Sequence, residues 1–152
     1  MDFDWGQIGK VLGTLIPIIV FLVFNIFFRK QQEQKKKLTS VHSLISEIDH
    51  NQKLIDSFLM QWRTKKFKTS VWKQNKGKMN YINSDLLYIL SEAYEIIEGY
   101  NREIDMAKKQ KTASYLVNIQ GDRLMKPLAQ SKQGLEEWLQ LNKGSDKILK
   151  RG

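Results

Sequence analysis

Two histidines occur in the chain, His42 and His50, and the second closes the one spacing that suggests metal chemistry. Residues 47–50 read E-x-x-H, with Glu47 and His50 at the ends, the helical i, i+3 pair used in di-iron carboxylate bundles. Such a centre needs a second E-x-x-H and two further glutamates. No other histidine follows a glutamate at that spacing, so the pattern is read as a chance occurrence in a charged helix, and no metal ligand or cofactor is assigned. Nucleophilic catalysis fares no better: the chain has no cysteine and no G-x-S-x-G, and nothing local places a histidine beside a nucleophile. Gly77-Lys78 lacks the earlier glycine and the following Ser or Thr of a phosphate loop. No catalytic residue is assigned, and the expectation is a protein that is not an enzyme.

Charge offers a second kind of chemistry. The formal net charge is +9, and the cations are clustered. One group is Arg29, Lys30, Lys35, Lys36 and Lys37; another is Arg63, Lys65, Lys66, Lys68, Lys73, Lys76 and Lys78, with no acid between Asp56 and Asp85. Together they form a candidate patch for an anionic partner. Phe67, Trp72 and Tyr81 interleave with the second group, a pattern that can bind single-stranded nucleic acid by stacking. The same aromatics serve a small domain as core, with Trp62, Trp72 and Trp138 as its structural anchors. A solvated basic loop, or one neutralised by acids on a neighbouring helix, remains open beside the binding reading.

The strongest element lies upstream. Residues 11–28 read VLGTLIPIIVFLVFNIFF, without a charge, and Arg29-Lys30 follow at once. At 1.5 Å per residue this run covers roughly 27 Å, enough for a transmembrane helix. A cleaved signal peptide would need a basic start and a small-residue cleavage site, whereas Asp2 and Asp4 open this chain. Positive flanks stay in the cytoplasm, so the expected topology is single-pass in the cell's inner membrane, with the N-terminus outside and the remainder inside. The basic juxtamembrane group then faces an anionic lipid surface, where each cation gains about 1 kcal/mol. Gly9 and Gly13 form one G-x-x-x-G pair, and Asn25 can hydrogen-bond across a helix pair; all three are candidates for helix association and a homodimer.

Behind the span the periodicity is helical throughout. Leu38, Val41, Ile45, Ile48, Ile55, Leu59 and Trp62 alternate at three and four, broken at Gln52, with Leu44 and Phe58 widening the stripe. The heptad spacing, which holds on both sides of Gln52, also suits a coiled coil. No Pro or Gly separates this helix from the span, so one long helix is expected. A short helix near Val71-Trp72 has Thr69 or Ser70 as cap. Another follows Asn83, Ser84 and Asp85, with a stripe of Leu86, Leu87, Leu90, Ala93, Tyr94, Ile97, Tyr100 and Ile104. A last helical region starts near Thr112 or Ser114, is weakened at Gly121, kinks or splits at Pro127, and stops at Asn142-Lys143-Gly144. The expected fold is all-α: an N-terminal transmembrane segment (1–30), a small antiparallel helical bundle of three long helices and one short one (31–144), and a polar tail (145–152).

The order Glu47…Asn51, then Phe67-x-Thr69…Trp72, then Tyr100-Asn101 resembles a loose group of bacterial and phage membrane-anchored helical proteins, generally without an assigned activity. The resemblance covers residues 38–104. It implies that Asn51 ties the first helix to the 63–82 segment and that Trp72 plugs the core. The expected function is an anchored adaptor or assembly protein that contacts an unknown protein partner at the cytoplasmic membrane face. A membrane-anchored nucleic-acid binder and a phage-type membrane effector, holin-like or an exclusion protein, are the alternatives.

Overall fold

In the computed structural model the backbone is described over residues 5–60 and 65–149, and side-chain surroundings over Gly13, residues 15–57 and residues 65–142. Trp62 and Arg63 fall outside the described residues, as do the surroundings of Gly9. Every regular element is helical: α1 (Trp5–Met60), α2 (Ser70–Asn75), α3 (Ser84–Gln110) and α4 (Gly121–Leu149), with 3-10 turns at Lys76–Lys78 and Ala113–Asn118. No strand occurs among the described residues. The chain divides into two compact units, Met1–Lys37 and Leu38–Gly152. The division falls seven residues beyond the expected edge of the span. Residues 31–37 are polar and contribute nothing to a core, which starts with half-buried Leu38 and fully buried Val41.

The first unit is the N-terminal part of α1. From Leu15 to Phe28 its large apolar side chains are exposed, and α1 is long and apolar enough to cross a membrane. Pro17 lies inside the helix, and the Phe24 and Phe28 rings pack with centroids 5.3 Å apart.

In the second unit the buried face of α1 is Val41, Leu44, Glu47, Ile48, Asn51, Leu54 and Ile55. Ile45, expected in the stripe, is only half-buried, as is Gln52, which interrupts it. An apolar count skips the polar residues at 47 and 51, so the true stripe runs slightly to one side of the one read from hydrophobicity. In α3 seven of the eight expected stripe residues, Leu86, Leu90, Ala93, Tyr94, Ile97, Tyr100 and Ile104, are buried, and Leu87 is half-buried. Asn83 caps α3, its side chain accepting from Leu86 N–H at 2.8 Å. Lys111 ends it in the left-handed region (φ 53°), and the Thr112 N–H closes the turn on Ala107 O at 3.1 Å.

The last region departs from expectation in two places. The chain breaks before Gly121, through the 3-10 turn and an extended Ile119, and α4 then runs through Pro127. A proline there forfeits the bond to the carbonyl of Arg123, a loss confined to one turn of an otherwise continuous helix. Nor does α4 stop at Asn142-Lys143-Gly144; it continues to Leu149, and no described glycine adopts positive φ. Helix α3 packs on α4 and on the 3-10 turn at Ala113–Asn118. At Gly134 the two come close enough that an added Cβ would lie 2.7 Å from Leu86 Cδ1.

Candidate functional site

Among the described residues, two of the three buried polar residues of the core, Glu47 and Asn51, converge on the irregular segment 65–69 and the first turn of α2; the third, Ser131, lies apart on α4. Thr69 occupies the cap position of α2 but makes no side-chain capping bond. Glu47, 3% exposed on α1, supplies it from a distance. Its Oε2 accepts from Val71 N–H at 2.8 Å and from Ser70 Oγ at 3.1 Å; its Oε1 accepts from Trp72 N–H at 3.1 Å and from Tyr94 OH at 3.0 Å. A carboxylate offers about four acceptor positions, so these four donors leave none for a metal or a substrate. The Trp72 and Tyr94 rings stack above this knot, centroids 5.0 Å apart and 11° from parallel. Burial first, and then the charge of Glu47 and the hydrogen bond to it, push the Tyr94 phenol far above its ordinary 10.0.

One turn along α1, fully buried Asn51 grips the main chain of Lys68: its Nδ2 donates to Lys68 O and Lys68 N–H donates to its Oδ1, both at 2.8 Å. From α3, Asn101 does the same to Phe67, donating to Phe67 O at 2.9 Å and accepting from Phe67 N–H at 2.8 Å. Two side-chain amides thus satisfy four backbone groups of a segment that lies in no helix and no sheet. Further ties bind the later elements. Tyr100 OH donates to Gln120 O at 2.6 Å, Trp138 Nε1 donates to Tyr81 O at 3.2 Å, and Lys132 pairs with Asp49 at 2.7 Å.

The candidate binding residues distribute around this clasp. Phe67 and Trp72 are inside and Tyr81 is half-buried, packed at a tilt against Trp138, so these rings form no open platform. Lys66 pairs with Asp105 at 2.6 Å and Lys73 with Glu98 at 3.4 Å, both acids on α3. Lys65, Lys68, Lys76 and Lys78 have exposed side chains. Arg29, Lys30, Lys35 and Lys36 are exposed on α1, and Lys37 is half-buried. His42 and His50 are exposed while Glu47 points inward, and among the described residues no three metal-ligating side chains gather. Sequence reasoning did not foresee the fourfold role of Glu47. The available signal was a glutamate four residues before an asparagine on the face that packs inward. No family model matches the chain, and no curated protein or solved structure is significantly similar to it.

Proposed function

We propose that the protein is a single-pass, membrane-anchored helical adaptor of a bacterial or phage system. An antiparallel bundle of residues 38–149 works by protein contact at the cytoplasmic face. The observation that carries this is the exposed apolar run from Leu15 to Phe28, followed directly by Arg29 and Lys30. The basic flank favours a cytoplasmic domain and an anionic lipid surface beside it. The buried polar groups around Glu47 support a scaffold over a catalyst, because their hydrogen-bonding capacity goes into holding the chain. The nucleic-acid alternative draws less support, since Phe67 and Trp72 are buried and Lys66 and Lys73 are paired within the fold.

The test is site-specific photo-cross-linking in the native membrane from Tyr88 and Leu141, two exposed apolar side chains of the helical unit. The adaptor reading expects one discrete protein adduct that is lost when residues 1–30 are deleted. Adducts to nucleic acid, or none from either position, would count against it.

A further inference from the structure

Asn25 is the one amide within the exposed apolar run, and no hydrogen bond to its side chain occurs among the described residues. In hydrocarbon an amide without a partner is costly, and water is absent to relieve it. The residues around it repeat at alternating three and four: Ile18, Phe21, Asn25, Phe28 and Gln32, all exposed. In heptad terms Ile18, Asn25 and Gln32 take the a positions, and Phe21 and Phe28 the d positions. A 3.5-residue repeat wraps two helices in a left-handed pair, and a single Asn at a is the device that sets register and a two-stranded state.

We propose that this stripe is a parallel homodimer seam, in which Asn25 of one copy hydrogen-bonds Asn25 of a second copy. Copies inserted with the same topology are necessarily parallel, so a meets a at equal depth. An Asn amide carries both a donor and an acceptor and therefore complements itself. Phe21 and Phe28 close the seam on either side of that pair. The glycine pair belongs to a different geometry. A right-handed crossing would use every fourth residue, Gly9, Gly13, Pro17, Phe21 and Asn25, and depends on close backbone approach. The Phe21 ring stands in that row and holds the backbones apart.

The inference rests on the membrane-anchored reading, and its test separates the two. The chain has no cysteine, so single Cys residues can be placed in the full-length protein without background. Disulfide formation in native membranes is scanned at Ile18, Phe21, Phe28 and Gln32, with Gly13 and Pro17 reporting the right-handed crossing and Ile16, Val23 and Phe27 on the opposite face as controls. Resistance to alkaline extraction reads anchoring independently. The seam predicts strong cross-linking at all four positions and little at the controls. In the Phe28→Cys background, adding Asn25→Leu should lower the cross-linked fraction roughly threefold to twentyfold, while Asn25→Gln should largely retain it. Cross-linking at Gly13 and Pro17 without Ile18 and Phe28 would overturn the seam. So would no stripe residue exceeding the controls in a protein that still resists extraction.

Discussion

Asn51 and Lys68 exchange two hydrogen bonds of 2.8 Å, one in each direction, across the gap between α1 and the segment that leads into α2. The side-chain amide behaves there as a peptide group would in a sheet, in a protein without a described strand. Asn51→Ala would strand the N–H and C=O of Lys68, at a cost of about 2–4 kcal/mol. Asn51→Asp retains the acceptor but sets a carboxylate against the Lys68 carbonyl. Its deficit relative to the parent should therefore shrink as pH falls towards about 4, where the carboxyl protonates. Urea denaturation of the full chain in detergent checks both.

Glu47→Gln is a nearly isosteric change that the fold should not tolerate. One carboxylate oxygen becomes an NH2 facing either Val71 N–H and Ser70 Oγ or Trp72 N–H and Tyr94 OH, so donor meets donor. The expected loss is about 2–4 kcal/mol. Amide exchange should accelerate at Val71 and Trp72 ahead of α3. Equal exchange rates at those two amides would contradict the capping role.

Trp72→Ala removes a ring that is 6% exposed and stacked on Tyr94, and should cost about 3–5 kcal/mol. A loss under about 1 kcal/mol would mean that Trp72 does not plug the core.

Tyr94 also gives the second unit an alkaline limit. Its phenol is raised in the folded state, so the unfolded chain loses that proton first as pH climbs past the ordinary 10.0. The contribution is complete below that pH and declines above it. Tyr81 and Tyr100 are raised in the same direction by burial. Stability should fall above pH 10, less steeply in Tyr94→Phe than in the parent, as followed by circular dichroism in detergent.

How far the sequence carried the reading differs by element. The α3 stripe and the apolar run were legible because each is a simple pattern of apolar side chains. The α1 face was legible only in part: two of its inward residues, Glu47 and Asn51, are polar, and their burial depends on partners about twenty residues away in sequence. The break before Gly121 was misplaced to Pro127 because proline is the louder local signal. The break is instead accompanied by a long-range bond, Tyr100 OH to Gln120 O. The asparagine clasp followed from the resemblance at Asn51 but not from any spacing at Asn101. Nothing local announces that a side-chain amide will meet a distant main chain.

The central claim is that a membrane anchor holds the helical unit in the cytoplasm. The direct measurement places a single cysteine by Leu141→Cys, at a position 81% exposed, and labels it with a membrane-impermeant maleimide. The account predicts no labelling in intact spheroplasts, full labelling in inside-out vesicles, and retention of the protein in the membrane after alkaline extraction. Labelling from outside, or release by alkali, would contradict it.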